Sequence, residues 1–126
     1  MKETRKGLAH FRAAFGYSMQ GLVAAIRHES AFRLELVLGV VHYVLVMLVP
    51  TSEPVRIALI LSWPFLLVVE LLNSSVENVV DLASPEWHEL AKRAKDMASA
   101  AVFVAALVPS GLWLYVAVVR LTRVLV

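Results

Sequence analysis

Long apolar runs, separated by short polar segments, dominate this chain. Residues 36–52 contain no charged side chain, residues 57–80 are interrupted only by Glu70 and Glu77, and residues 97–119 are again uncharged. Spanning the hydrocarbon of a bilayer takes roughly 20 helical residues, and only helices or closed barrels satisfy the backbone there. Because the runs are too long and too continuously apolar for strands, the pattern predicts three transmembrane helices.

The first 33 residues show an amphipathic pattern instead. Apolar residues recur at steps of three or four positions, and basic residues flank them. The apolar set is Leu8, Phe11, Phe15, Met19, Leu22 and Ile26, and the basic set is Lys2, Arg5, Lys6, Arg12, Arg27 and Arg33. This pattern is typical of one or two helices lying in the membrane interface. The alternative is a soluble helix packed on another protein segment. No compact apolar region follows the first basic residues, so a signal peptide is not predicted.

Composition supports an integral membrane protein of the all-α class. Hydrophobic residues make up 60% of the 126 residues and charged residues only 17%, whereas soluble domains are nearer half apolar and a quarter charged. The chain contains no cysteine, which excludes disulfides and thiolate metal sites. We therefore predict a single membrane-embedded domain over 1–126, with a surface segment at 1–33 and transmembrane helices at about 34–52, 55–82 and 97–121.

The basic residues are unevenly distributed, which predicts the orientation. The N-terminal segment and the connection at 82–96 hold nine of the twelve lysines and arginines, and the other side holds Arg56, Arg120 and Arg123. The positive-inside rule then places the N-terminus and the second connection in the cytoplasm.

The strongest indication of function is an acidic stripe on the second predicted span. Glu70, Asn73, Glu77 and Asp81 follow one another at i, i+3, i+7 and i+11, which stacks them on one helical face. Ionisable groups at membrane depth are costly and usually functional. Polar residues can also simply join helices by hydrogen bonds, and that explanation is sufficient for Asn73 and its serine neighbours. Hydrogen bonding between helices is a less economical explanation for the three carboxylates Glu70, Glu77 and Asp81.

The carboxylates favour metal and acid–base chemistry. Glu29 precedes the first span and can approach Glu77 across a helix interface, and two carboxylates suit Mg²⁺, which takes its other ligands from water and phosphate. Lys95 is then placed to neutralise phosphate charge, and Asp96 either to hold Lys95 or to hydrogen-bond a nucleotide. Glu70 lies deeper, at the depth a general base for a lipid alcohol requires.

Other polar residues receive supporting roles. Asn73, one turn from Glu70, is placed to orient it, and Asp81 is expected to be a structural partner. His42 is expected to form an interhelical hydrogen bond, because the histidines are not at metal-ligand spacing. Trp113, like Trp87, is expected in the interfacial belt. The scattered glycines form no phosphate-binding loop.

The polar residues also carry a family resemblance. The strings Glu70-Leu-Leu-Asn73-Ser-Ser-Val-Glu77-Asn-Val-Val-Asp81 and His88-Glu-Leu-Ala-Lys-Arg-Ala-Lys95-Asp96 resemble the small prokaryotic integral-membrane diacylglycerol kinases. The resemblance covers roughly residues 10–119. It implies a homotrimer of the bacterial cytoplasmic (inner) membrane, with active sites at the cytoplasmic face built from neighbouring protomers. The implied reaction transfers the γ-phosphoryl group of ATP to diacylglycerol with Mg²⁺, giving phosphatidic acid; no nucleic acid is an expected partner.

The resemblance also implies residue roles. Glu70 would be the proton acceptor, and Glu29 and Glu77 would bind the metal and thereby ATP. The remaining ATP contacts would be Tyr17, Glu86, His88, Lys95 and Asp96. The lipid-site or supporting positions would be Asn73, Ser99 and Arg56, beside Glu70.

Some positions depart from the family pattern. Enterobacterial members have Arg at the position of His10, so here either Arg12 takes that role or the contact is weakened. Pro64 and Pro109 are also not part of that pattern, and both are expected to kink their helices.

Three other functions remain open from the sequence. The first is an undecaprenol kinase on the same fold. The second is a small proton- or cation-translocating subunit with Glu70 as the carrier, and the third is a non-catalytic membrane adaptor. The last two leave the combination of Glu29, Lys95 and Asp96 unexplained.

Overall fold

The computed structural model describes the backbone of residues 2–125 and the side chains of residue 7 and of 9–123. It is all-helical over this range, with α1 at Lys2–His28, α2 at Ser30–Leu48, α3 at Glu53–Ala83 and α4 at Glu89–Leu125. This confirms the predicted all-α class. The amphipathic pattern at Lys2, Arg5, Lys6 and Leu8 lies outside the described side chains.

The helices α2, α3 and α4 are each long and apolar enough to cross a membrane, which confirms the three predicted spans. The short connections make successive spans antiparallel. One end of the bundle therefore holds Glu29 and the α3–α4 connection at 84–88, and the other holds residues 49–52 and the end of α4. We call these the acidic end and the distal end.

A single extended residue separates α1 from α2, the first span. Glu29 has φ −100° and ψ 111°, so α2 begins at Ser30 rather than at residue 34. Arg33 stabilises this corner between α1 and α2, because its Nη1 donates to the carbonyl oxygens of Ile26 and Arg27, both at 3.2 Å. These carbonyls belong to the last turn of α1, which lacks helical donors. The corner fixes where Glu29 stands against the bundle.

The third span begins earlier in the sequence than the uncharged run at 97–119 predicted. The helix α4 starts at Glu89 rather than near residue 97, so Lys92, Lys95 and Asp96 lie in its first turns and not in a loop. His88 caps this start: its Nδ1 accepts the N–H of Leu90 at 3.1 Å. No proline or glycine follows within the next turns, and the charged residues there are good helix formers.

A buried polar network joins all three spans. The His42 side chain is buried, with Nε2 3.0 Å from the carbonyl oxygen of Leu59, and its Nδ1 accepts the indole N–H of Trp113 at 3.1 Å. His42 therefore carries its proton on Nε2 and donates it to Leu59. The prediction of an interhelical histidine is confirmed. The belt position predicted for Trp113 is wrong, because its indole faces the bundle interior.

Pro64 lies inside α3, and the helix continues through it. A proline at this position leaves the carbonyl of Ile60 without its helical donor. The hydroxyl of Tyr43 on α2 donates to that carbonyl at 3.1 Å. A neighbouring helix thus satisfies the backbone group that the proline left unpaired, as membrane helices commonly require.

Candidate active site

Glu70 faces the interior of the bundle. Its side chain is only 3% exposed, and Ser62, Leu66 and Ser74 on the same face of α3 are buried as well. These positions are four residues apart, so they form one inward stripe. A carboxylate on this stripe is shielded from lipid and surrounded by neighbouring helices, which is the usual setting of a functional intramembrane acid.

Three further carboxylates lie near Glu70. Glu29, Glu35 and Glu77 are close enough for their charges to repel the charge of Glu70. Like charges repel more strongly where burial lowers the local dielectric. The acidic stripe predicted on α3 is therefore part of a cluster that also draws on the start of α2.

Glu35 is the member that sequence reasoning missed. Its Oε2 is buried and has no hydrogen-bond partner. Glu35 lies one residue before the uncharged run that starts at residue 36, near the start of the span predicted over about 34–52, and nothing in the sequence indicated that it lies near Glu70. The start of α2 at Ser30 puts Glu35 more than one turn inside the helix.

Two amides hold the metal-candidate carboxylates. Asn78 Nδ2 donates to Oε1 of Glu29 at 3.1 Å and also to the carbonyl of Ser74 at 2.7 Å. Asn73 Nδ2 donates to Oε1 of Glu77 at 3.3 Å. The approach of Glu29 to α3 is thus observed, through Asn78, a residue that sequence reasoning did not select. Asn73 bonds Glu77 rather than Glu70, and its Oδ1 is buried without a partner.

A groove of about 630 Å³ opens between α1 and α3 beside Glu29. Polar and small residues line it, among them Ser18, Gly21, His28, Ser74 and Asn78. Tyr17, predicted to contact ATP, lies next to Ser18 in the chain but does not line the groove and is 71% exposed. The groove gives a polar ligand access to Glu29 from the side of the surface helix.

The basic residues of α4 pair differently from the prediction. Lys95 Nζ bonds Asp81 of α3 at 2.9 Å, and Lys92 Nζ bonds Asp96 at 2.6 Å. The idea that Asp96 holds Lys95 is wrong, because neighbours in sequence point apart on a helix whereas i and i+4 meet. Asp81 takes the expected structural role, as an exposed ion pair between α3 and α4.

The remaining predicted residues lie apart from the cluster in this chain. Glu86, His88 and Ser99 are exposed, at or near the acidic end. Arg56 is also exposed, but fourteen positions before Glu70 on α3, which at the helical rise is about 21 Å. One protomer therefore brings together Glu29, Asn73 and Glu77 around Glu70, and leaves the other candidates on its surface.

The cluster offers carboxylate and amide oxygens, the ligand type that Mg²⁺ prefers. Over the described residues, no group of three His, Asp or Glu side chains converges to enclose a metal. Glu29 and Glu77 are partly exposed and held by amides. Mg²⁺ needs only one or two carboxylates when water and phosphate oxygens complete its shell. The site suits a cation that arrives with a phosphate ligand.

Comparison with known proteins identifies relatives over most of the chain. A family model described as prokaryotic diacylglycerol kinase matches residues 16–117. The chain is 45% identical over 107 residues to a diacylglycerol kinase of Pseudomonas aeruginosa, which covers 85% of this chain and 87% of that protein. It is 41% identical over 113 residues to a diacylglycerol kinase of Escherichia coli K12, covering 90% and 93% respectively.

Proposed function

The chain belongs to the prokaryotic diacylglycerol kinase family, and from that premise we propose that it transfers the γ-phosphoryl group of ATP to diacylglycerol, with Mg²⁺. The observation that carries the proposal is Glu70, buried in the middle of α3 with Glu29, Glu35 and Glu77 near it. Such a cluster is costly unless it binds cations or moves protons. Phosphoryl transfer to a membrane alcohol needs both.

Glu70 is the proposed general base. It accepts the proton of the diacylglycerol hydroxyl while that oxygen bonds to the γ-phosphorus, and the bond from phosphorus to the β–γ bridging oxygen breaks to release ADP. The buried Oδ1 of Asn73 lacks a partner and is available to accept a hydrogen bond from protonated Glu70 or from the glycerol. General bases act within hydrogen-bond reach of the proton that they remove.

Glu29 and Glu77 are the proposed metal ligands, oriented by Asn78 and Asn73. Mg²⁺, when bound, would neutralise charge on the phosphate oxygens, which is most of what phosphoryl transfer requires. Glu35, the added member of the cluster, is proposed to hold negative charge near Glu70 and keep it basic.

The exposed residues are proposed to act in a homotrimer. Tyr17, Glu86, His88, Lys95 and Asp96 would contact ATP, and Ser99 and Arg56 the lipid. Most of them stand on the surface of this chain, so a site completed by a neighbouring protomer would account for their separation from Glu70. Arg56 is the exception, because it lies about 21 Å from Glu70 along α3. The N-terminal segment and the connection at 82–96 carry nine of the twelve lysines and arginines, which supports placing the site at the cytoplasmic face of the inner membrane.

The test is lipid phosphorylation by the purified protein. Mg-ATP is supplied with diacylglycerol and undecaprenol side by side, and phosphatidic acid is the expected main product. Faster phosphorylation of undecaprenol would reassign the substrate while retaining the fold. No lipid product from folded protein would contradict the proposal and favour the ion-translocating subunit or the membrane adaptor instead.

A matched pair of variants controls the assay. Glu70→Gln should abolish most turnover, whereas Glu53→Gln should not, because Glu53 lies at the other end of the same helix and outside the cluster. Equal turnover by both variants would contradict the assignment of Glu70.

A further inference from the structure

A second cleft lies at the distal end, away from the acidic cluster. It measures about 500 Å³ and lies between the α2–α3 connection and the last turns of α4. Its polar lining comprises Thr51, Ser52, Tyr115, Arg120 and Arg123. The two arginines are three positions apart and therefore share a helix face. Two cationic side chains thus flank one cleft.

The cleft has an excess of hydrogen-bond donors and positive charge. None of its lining residues is acidic, and within the described part of the chain neither arginine forms an ion pair. Thr51 Oγ1 is buried and has no hydrogen-bond partner. Buried polar oxygens are normally paired. Guanidinium groups and a hydroxyl around one space suit a ligand with several acceptor oxygens, above all a phosphate.

The backbone adds to this preference. Ser52 stands at the N-cap of α3 in an extended conformation, and its side chain makes no capping bond. Pro54 has no amide proton, and the N–H of Arg56 bonds the carbonyl of Ser52. The amides of Glu53 and Val55 are therefore the ones without a capping side chain at this edge of the cleft. A helix N-terminus favours negative charge. The N-terminus of α3 thus adds to the preference for a negatively charged ligand that Arg120, Arg123 and Thr51 already produce.

The apolar part of the lining indicates that the phosphate belongs to a lipid. Val55, Val116 and Val119 form the wall beside the arginines, and the neighbouring Leu48 and Leu121 are 72% and 62% exposed on the outside of the bundle. This end terminates the spans, where lipid headgroups meet acyl chains. A zwitterionic choline headgroup would bring its own cation against the two arginines, whereas an anionic headgroup would not.

We propose that the distal cleft binds the phosphate of an anionic phospholipid from the leaflet opposite the acidic cluster. Arg120 and Arg123 hold the phosphate oxygens, Thr51 donates a hydrogen bond to one of them, and the acyl chains lie along the valine wall. The lipid then ties the end of α4 to the α2–α3 connection. This site is independent of the proposed reaction and shares no residue with it.

The test measures lipid binding by the full-length protein in neutral detergent. Phosphatidylglycerol, phosphatidylcholine and inorganic phosphate are titrated separately, with native mass spectrometry for bound lipid and thermal unfolding for stabilisation. Wild type should bind phosphatidylglycerol preferentially and unfold at a higher temperature with it. The Arg120→Gln, Arg123→Gln double variant should bind phosphatidylglycerol roughly thirtyfold more weakly.

Two controls separate charge from position. The Arg120→Lys, Arg123→Lys variant keeps the charge and should retain most of the binding. Arg93→Gln removes an exposed arginine at the other end of α4 and should leave phosphatidylglycerol binding unchanged. Unchanged binding by the double glutamine variant, or an equal loss in Arg93→Gln, would overturn the proposal. Stabilisation by inorganic phosphate equal to that by phosphatidylglycerol would overturn the assignment to a lipid.

Thr51→Val provides a test that does not depend on the arginine variants folding. It replaces a buried, unpaired hydroxyl by a methyl group of similar size, so the lipid-free protein should unfold at the same or a higher temperature. Phosphatidylglycerol binding should nevertheless weaken severalfold, because one phosphate donor is lost. Undiminished binding would contradict the role of Thr51 and, with it, the proposed placement of the phosphate.

Discussion

The two ends of the bundle differ in the sign and the burial of their charged side chains. Toward the acidic end, Glu70 is buried with three further carboxylates near it, and amides hold Glu29 and Glu77. At the distal end, Arg120 and Arg123 are exposed, and long basic side chains can reach water from a helix end at little cost. Crowded buried acids cost stability unless a ligand uses them, whereas basic residues at a helix end do not. The contrast supports the two proposals, that the reaction takes place at the acidic end and that a lipid headgroup binds at the other.

The largest expected effect comes from removing the proposed base. Glu70→Gln keeps the size of the side chain and relieves charge repulsion, so the fold should persist or gain stability. Turnover with diacylglycerol should fall by about 10²–10⁴-fold, the usual contribution of general-base catalysis. Nucleotide binding should change little. Parallel assays of lipid phosphorylation and nucleotide binding measure both, and retained turnover would remove the central contrast between the two ends.

A smaller effect is expected at the metal-candidate carboxylates. Glu77→Gln should weaken the apparent affinity for Mg-ATP by at least about tenfold, since one oxygen ligand loses its charge. Part of the activity should return at high Mg²⁺ concentration, unlike that of Glu70→Gln. Activity measured against Mg²⁺ concentration separates the two residues. Identical Mg²⁺ dependence in wild type and Glu77→Gln would show that Glu77 binds no metal.

The hydrogen-bond network of His42, Leu59 and Trp113, between the two ends, should affect stability and not turnover. His42→Leu leaves the indole N–H of Trp113 without its acceptor and should lower the free energy of unfolding by roughly 1–2 kcal/mol. Thermal unfolding in detergent measures this loss. Turnover per folded molecule should stay near the wild-type value, and a selective loss of turnover would instead connect the middle of the bundle to the reaction.

The smallest effect is expected from the exposed ion pair at the acidic end. Asp81→Asn removes the partner of Lys95, but both side chains are substantially exposed, and such pairs typically contribute under about 1 kcal/mol. The unfolding temperature should therefore barely change. A large loss of stability would show that the acidic end depends on exposed as well as buried charge.

Much of this arrangement was predictable from the sequence, because hydrophobic length and helical spacing are local properties. They identified three spans and the shared face of Glu70 and Glu77. The resemblance supplied the lipid kinase function that the comparisons support. The start of α4 was placed too late, since charged residues can occupy the first turns of a spanning helix as well as a loop.

The contacts between helices were harder to predict. Glu35 lies one residue before an apolar run, and nothing in the sequence indicated that it lies near Glu70. Asn78 looked like an ordinary neighbour of Glu77 until the corner at Glu29 brought the two helices together. Tryptophan is a common residue of the membrane-interface belt, and only the packing of α4 on α3 brings the indole of Trp113 to His42 of α2.

The contact between Tyr43 and the carbonyl freed by Pro64 has a consequence for how this sequence can change over generations. If Pro64→Ala occurs first, the helix regains its own donor to Ile60, and Tyr43→Phe can follow at little cost. If Tyr43→Phe occurs first, a carbonyl remains unpaired within the membrane, and that intermediate is selected against. The same two substitutions are thus accessible in one order and obstructed in the other. Tyr43 is therefore retained for as long as Pro64 is present.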